Sequence, residues 1–357
     1  MLSLSLSKKV KVLTSLLFAV LLIGICTSQM GGAKPLVAVL LPPGRGDVSL
    51  LKSGLEDAAR HAGVRLWSGR AASLEEETRL LASVMGHKPA VLLVTPFSAE
   101  GSVAGLQEAR AAGTHVICFV GCVNEPGIDT AVIDGPDRDA GALSADAVMA
   151  WVIHGRAGRA VVGIWPCLRD GGCGECGATF MARLKQMPGI EIIEMEMQPG
   201  QSPAEILQAY PQVNLLWAAS AQGILQATRA VRALGLAGQV AVFGVGLDRP
   251  VADLLQTDGD ILQSVAVPLS YQAGYSAMIA AANLAKGAGN GAEIPTSAMI
   301  VNSASIDLAN TYLVNDGKWL LPVSISGAPG KRLFETTPTP PICKSCVPTA
   351  HPVIPTP

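Results

Sequence analysis

Short, wholly apolar runs alternate along the chain with longer Ala-rich stretches in which apolar positions return every three to four residues. The short runs read as strands buried on both faces and the longer ones as amphipathic helices, which together predict βαβ units and a parallel sheet covered on both sides. Leu36 to Leu41 (LVAVLL) is the first predicted strand, followed by a Pro/Gly loop and a helix over Leu50 to Ala62. Val64 to Trp67 predicts a second strand, and Leu74 to Met85 a helix with Ser73 placed as its N-cap. Strand Ala90 to Val94, helix Ala104 to Ala112, strand His115 to Val120 and strand Ala131 to Ile133 complete a first set.

The alternation then restarts. A helix over Ala140 to Ile153 leads to strand Ala160 to Ile164, a Gly/Cys-rich loop and a helix over Ala178 to Gln186. Strands follow at Ile190 to Met195, Leu215 to Ala219 and Val240 to Val245, separated by helices at Pro203 to Ala209 and Gly223 to Leu234. Strand Ile261 to Val267, helix Gln272 to Ala285 and strand Ala298 to Val301 close the series, and the pattern fails after Leu321. The fold class expected is therefore α/β, with two Rossmann-like lobes of parallel sheet. In open parallel sheets ligands sit at loops leaving the carboxyl ends of strands, so two facing lobes would make a pocket that hinge closure can seal.

Composition narrows the function. The chain has 357 residues, a net charge of −2 and only 15% charged residues, so it carries no basic stripe to neutralise phosphates and nucleic acid is not an expected partner. The opening differs from the rest: Lys8, Lys9 and Lys11 precede an apolar run from Val12 to Ile25 and a small, polar stretch from Thr27 to Ala33. That order reads as a secretory signal peptide over residues 1–28, and so as export to the periplasm. An uncleaved anchor and a lipid anchor at Cys26 are the alternatives. Residues 336–357 are rich in Pro and Thr and are expected to lack a packed core of their own.

Several segments resemble the type I periplasmic binding proteins, the ribose-like solute receptors. They are VAVLLPP with LKSGLEDAARHAGVRL, KPAVLLVTPFSAEGSVAGLQEARAAGTHVICF, AVIDGPDRDAGALSADAVM, and VAVFGVG followed by LLQTDGDILQSVAVPLSYQAGYSAM. The resemblance implies two lobes joined by a three-strand hinge, with residues 35–134 and 268–298 in the first lobe and 138–265 and 299–325 in the second. It also implies a non-enzymatic receptor whose closed form is presented to a membrane partner, either the permease of an ABC importer or a sensor histidine kinase. Within the family, WAASAQGILQATRAV, HGRAGRAVVGIWP and YLVNDGKWLLPV most resemble the periplasmic sensors of trimethylamine N-oxide. Two departures bear on the ligand. Sugar-binding members carry an Asn-Asp pair where this chain has Ser220 and Ala221, and an aromatic and an Asp where it has Val245 and Gly246. Small methylated amine oxides or related polar organic solutes are therefore placed slightly ahead of modified sugars or a furanosyl signalling molecule.

Residues expected to meet a ligand are those that follow predicted strands: Arg45 and Asp47, Trp67, Phe97, Trp165, Ser220 and Gln222, with Asp134 at the first crossing and Tyr271 near the return hinge. Trp67, Phe97, Trp165 and Tyr271 could form an aromatic wall suited to a weakly hydrated solute, or could be core packing. Asp137 is expected to cap the helix that follows it, and Gly135, Gly244 and Gly246 to serve as turn or hinge positions with φ > 0. No G-x-G-x-x-G loop follows a strand and no Ser-His-Asp constellation is evident, so no nucleotide cofactor and no catalytic residues are assigned.

Cys118, Cys122, Cys167, Cys173, Cys176, Cys343 and Cys346 would remain after removal of the leader, an odd number for an oxidising compartment. The loop CLRDGGCGEC and the tail CKSC could be stapled by disulfides or could ligate a thiophilic metal. Disulfides are the expectation, no metal site is assigned, and Cys118 and Cys122 could simply be small buried hydrophobes. A metal- or thiol-handling protein is the rival of a different class.

Overall fold

The computed structural model describes residues 33–41, 48–119, 122–123, 125, 128, 131–133, 135–167, 173–288 and 297–320. The expected signal peptide, the tail, Arg45, Asp47 and Asp134 lie outside the described residues.

The first sheet has five parallel strands: β1 (Leu36–Leu41), β2 (Arg65–Arg70), β3 (Val91–Val94), β4 (His115–Phe119) and β5 (Ala131–Ile133), in the order β2-β1-β3-β4-β5. The inner strands β1 and β3 are apolar throughout because both faces are covered, whereas the edge strand β2 (RLWSGR) is half-exposed. Val37, Val39, Leu93 and Phe119 face helix α1 (Ser49–Ala62) and a helix from much later in the chain, α9 (Ser270–Ala285). Ala38, Leu40, Leu92 and Cys118 face α2 (Leu74–Met85) and α3 (Val103–Ala111). Ser73 caps α2 as expected, its side chain accepting from the Glu76 N–H.

The second sheet contains β6 (Ala160–Ile164), β7 (Ile190–Glu194), β8 (Leu215–Ala218), β9 (Ala241–Val245), β10 (Leu262–Pro268) and β11 (Ala298–Val301), in the order β11-β10-β9-β8-β6-β7. Only the β10–β11 pairing is antiparallel. One face packs on α4 (Pro136–Gly155) and α5 (Gly174–Leu184), where Phe180 stacks on Trp217 at 4.1 Å between ring centroids and the Trp217 indole N–H donates to Ser144 at 2.8 Å. The other face packs on α6 (Pro203–Gln208), α7 (Ala221–Ala233), α8 (Arg249–Thr257) and α10 (Ile306–Val314).

Helices α8 and α10 were not expected from the apolar pattern. Helix α8 follows a start signal nonetheless: Asp248 caps it by accepting from the Val251 N–H, and Pro250 lies in its first turn. Helix α4 begins at Pro136, earlier than expected, with extended Gly135 at its N-cap and no side-chain cap. Asp137 is therefore not the cap; it lies inside the first turn, where a carboxylate still meets the positive helix end. Of the glycines expected at positive φ, Gly246 alone has it (+111°). Gly244 is needed for space instead, since a Cβ there would stand 2.5 Å from the Ala218 carbonyl oxygen.

The chain crosses between the sheets three times: between β5 and α4, at Leu269 between β10 and α9, and between α9 and β11. One carboxylate gathers these crossings. Asp139 Oδ2, in the first turn of α4, accepts from the Ser297 N–H at 2.7 Å and the Ser297 hydroxyl at 2.8 Å. The Ser297 carbonyl in turn accepts from the Leu269 N–H at 2.7 Å. Replacing Asp139 by Ala strands two donors on a residue only 4% exposed, so a loss of about 2–3 kcal/mol is expected. Urea denaturation of Asp139→Ala measures it, and a change under 0.5 kcal/mol, the range of an inert surface substitution, would disprove the clamp.

Helices α1 and α9 cross with their backbones nearly touching. A Cβ at Gly54 would stand 2.1 Å from the Tyr271 carbonyl oxygen, and one at Gly274 would stand 2.1 Å from the Leu51 carbonyl oxygen. Even a methyl group must force the helices apart, so Gly54→Ala and Gly274→Ala should each cost about 1–3 kcal/mol. Gly86→Ala is the control: it has right-handed backbone (φ −58°) and 3.4 Å of clearance, and should leave the denaturation midpoint unchanged or raise it.

Candidate functional site

Each sheet has one point at which successive connections diverge. In the first, the chain runs outward from β1 to β2 and then returns to the other side of β1 as β3; in the second, β6 leads outward to β7 and the chain returns as β8. Neighbouring loops leave such strand pairs in opposite directions and open a crevice at the carboxyl ends, the usual ligand position in open α/β sheets. The candidate site therefore comprises the loops after β1 and β3 in one lobe and after β6 and β8 in the other. Arg45 and Asp47 belong by sequence to the loop after β1.

The loop after β3 carries Thr95, Pro96 and Phe97. Phe97 is 41% exposed, and its N–H donates at 2.7 Å to Glu77, a carboxylate that is itself only 1% exposed. Sequence reasoning did not single out Glu77, although a signal was available: it stands four residues before Leu81 and seven before Val84, the buried positions of α2.

After β6, Trp165 is buried at 2% exposure among Leu216, Ala218 and Ile224, and its indole N–H donates to Gln226 Oε1 at 3.2 Å. Its ring is packing against α7 rather than an open surface. After β8, Ser220 is exposed and its hydroxyl oxygen accepts from the Gly223 N–H at 3.1 Å, which makes it the N-cap of α7. Gln222 is exposed in the first turn of the same helix. Gly246 closes in from the loop after β9, where a Cβ would stand 3.0 Å from the Ala221 nitrogen.

The four-ring aromatic wall is not assembled. Trp67 lies within β2 and packs with Ala38 and Leu40 on the face covered by α2 and α3. Tyr271 lies on α9, which covers the opposite face of that sheet, and its hydroxyl donates to Asp57 Oδ2 at 2.9 Å. Burial, then the Asp57 hydrogen bond and charge, push the Tyr271 phenol up to about 12. Phe97 is the exposed ring of the four.

The cysteines divide between the two lobes. Cys118 pairs with Cys122 at the carboxyl end of β4, so these two are bonded and not merely small apolar fillers. Cys167 pairs with Cys173, bridging the connection between β6 and α5. Cys176 is free and buried. Burial pushes its thiol up to about 12, with the Asp137 and Glu175 charges adding to the shift, so at neutral pH it is a protonated core residue and not a nucleophile. Among the described residues no group of three or more His, Cys, Asp or Glu side chains is placed to hold a metal ion. None of the described helices is long and apolar enough to cross a membrane.

Two helix-covered sheets, three crossings and a topological switch point in each lobe are the architecture of a two-lobed ligand-binding protein. Comparison with known proteins gives the family. The model of the periplasmic binding protein domain matches residues 37–289, and the chain belongs to that family, as a type I member. A relative from Escherichia coli (strain K12), the ABC transporter periplasmic-binding protein YphF, is 23% identical over 227 residues, covering 60% of this chain and 69% of the relative. Among solved structures, a periplasmic ribose ABC transporter protein from Conexibacter woesei DSM 14684 superposes with a TM-score of 0.58 at 16% identity, covering 81% of this chain and 99% of that one. An ABC transporter periplasmic solute-binding protein from Actinobacillus succinogenes 130z with bound D-allose gives 0.54 at 20% identity, covering 77% and 100%. At these identities the structures establish the fold.

Because the Cys176 thiol is held protonated and enclosed, alkylation of the native protein at pH 8 should leave it unmodified while alkylation in denaturant modifies it. Peptide mass spectrometry under non-reducing conditions should recover the 118–122 and 167–173 linkages. Recovery of a 173–176 linkage instead would overturn this assignment.

Proposed function

We propose that this protein is the periplasmic receptor of an ABC importer, that its solute is a small, uncharged sugar-like molecule, and that the permease recognises the closed form. The observation that carries the reading is the family match, which spans both lobes. The relative named as an ABC transporter periplasmic-binding protein and the neighbours described with ribose or D-allose support the importer and the sugar class, and favour an importer over a sensor kinase.

The pocket lies between the loops after β1 and β3 and those after β6 and β8, with Arg45, Asp47, Phe97, Asp134 and Gln222 as the contributing side chains. Trp67, Trp165 and Tyr271 are left out of this set because the first two pack the sheets and the third is bonded to Asp57. Solute contacts from both lobes stabilise the closed arrangement only to the extent that they are absent in the open one, so closure draws on the part of the binding free energy that differs between the two forms.

A second reading concerns the solute. The loop after β8 offers Ser220 and Ala221, with the Ser220 hydroxyl engaged in the cap, and so presents no carboxylate to bind sugar hydroxyls in pairs. A methylated amine oxide, with a single acceptor and an apolar body, would suit that loop.

Thermal-shift assays on the purified protein with D-ribose, D-arabinose, D-allose and trimethylamine N-oxide test both. A solute at a hundredfold excess over its Kd should stabilise the protein by about 2.7 kcal/mol. A shift with one of the sugars is the expected result. A shift with trimethylamine N-oxide alone would reject the sugar class, and no shift with any sugar at millimolar concentration would do the same.

A further inference from the structure

We propose that Glu77 is a positioning residue for the solute site: its buried carboxylate fixes the backbone of Phe97 so that the exposed ring stands as a preformed apolar platform. The inference rests on the reading that the loop after β3 meets the solute.

Three glutamates open α2, and two have other employment or none. Glu75 is exposed. Glu76 Oε2 accepts from the Ala72 N–H at 2.8 Å while the Glu76 N–H donates to Ser73, so Glu76 secures the helix start. Glu77 points inward beside Leu81 and Val84 at 1% exposure. An apolar residue would fill that position without the desolvation cost of a buried polar group, so packing alone does not account for a glutamate there. What the carboxylate does is accept the Phe97 N–H at 2.7 Å, a charge-assisted bond that reaches across 20 residues of sequence.

The rest of the loop is secured in the same manner. The Thr95 N–H donates to the Leu40 carbonyl at 3.0 Å, the Ser98 N–H to the Ser102 hydroxyl at 3.2 Å, and the Gly101 N–H to the Ser98 hydroxyl at 3.0 Å. Gly101 lies so close to the start of α2 that a Cβ would stand 2.5 Å from a Leu74 methyl group. A loop with the Thr95, Phe97, Ser98 and Gly101 amides engaged leaves one large group uncommitted, the Phe97 ring. A ring held in place before binding loses little freedom on contact, which suits a solute with one apolar face.

The experiment uses Glu77→Ala, Glu77→Gln, Phe97→Ala and the double variant Glu77→Ala/Phe97→Ala, each confirmed folded by circular dichroism. Should Glu77→Ala not fold, Glu77→Met takes its place, filling the volume without a comparable acceptor. Hydrogen exchange at the Phe97 amide, with no solute present, reads the positioning; calorimetric titration with D-ribose and D-allose reads binding. Removing the acceptor should speed Phe97 amide exchange and weaken sugar binding by about tenfold, and Glu77→Gln, which keeps an acceptor oxygen, should recover most of both. In the Phe97→Ala background the Glu77→Ala change should have no further effect on affinity, a coupling that a general packing defect would not produce.

Equal losses of affinity in both backgrounds, or unchanged exchange at the Phe97 amide, would overturn the proposal. A sugar that binds wild type and Phe97→Ala equally would overturn the platform while leaving the importer reading intact. If neither sugar binds the wild type, the sugar reading fails by itself and amide exchange decides the positioning role: loss in Glu77→Ala with recovery in Glu77→Gln sustains it, and no change ends it.

Discussion

Everything that a two-lobed receptor must do passes through the three crossings between its sheets, and these meet at one carboxylate. Asp139 accepts two hydrogen bonds from Ser297, and Ser297 accepts one from Leu269, so a group from each crossing region is tied to the next. The arrangement is short-ranged. It fixes where the chain passes from one sheet to the other. Rotation about such a waist is resisted far less than shear through either core, because the cores are close-packed layers and the waist is a handful of hydrogen bonds.

The glycine contacts between helices serve the same division. Gly54 and Gly274 let α1 and α9 approach to backbone contact, which binds a late element of the chain to the first sheet. Gly141 does the equivalent in the second lobe, where a Cβ would stand 2.3 Å from the Cys176 carbonyl oxygen and hold α4 away from α5. Each lobe is thus held together by close approach of its own helices.

Much of this was legible in the sequence because fully apolar strands identify themselves. The bounds of β1, β5, β6 and β11 and of α2 follow from periodicity and capping alone. The errors have physical causes. Helix α4 starts ahead of the expected Ala140 because Gly135 and Pro136 open it with no side-chain cap, leaving Asp137 inside the first turn and Asp139 turned toward Ser297. The aromatic wall failed because proximity to a strand end does not reveal on which face of the sheet a ring lies, and Trp67 and Tyr271 fall on opposite faces. Glu77 does not announce itself, because nothing in three consecutive glutamates at a helix start separates an exposed carboxylate from a buried one; the packed structure does.

The disulfides add a constraint of the same kind. Cys118–Cys122 and Cys167–Cys173 span sequence separations of 4 and 6. Closing so short a loop removes little freedom from the unfolded chain, worth about 2 kcal/mol on the chain-entropy account against nearly 5 for a hundred-residue loop. Global stability is therefore not where such bonds are best placed. Both lie instead at the carboxyl ends of parallel strands, β4 in one lobe and β6 in the other, and the second bridges the loop after β6 that belongs to the candidate site. Neither joins one lobe to the other, and a bond that did would oppose the rotation that the crossings permit. Covalent constraint thus falls within each lobe and not between them, and under the proposed function the free energy of solute binding would go into lobe orientation and not into ordering the site.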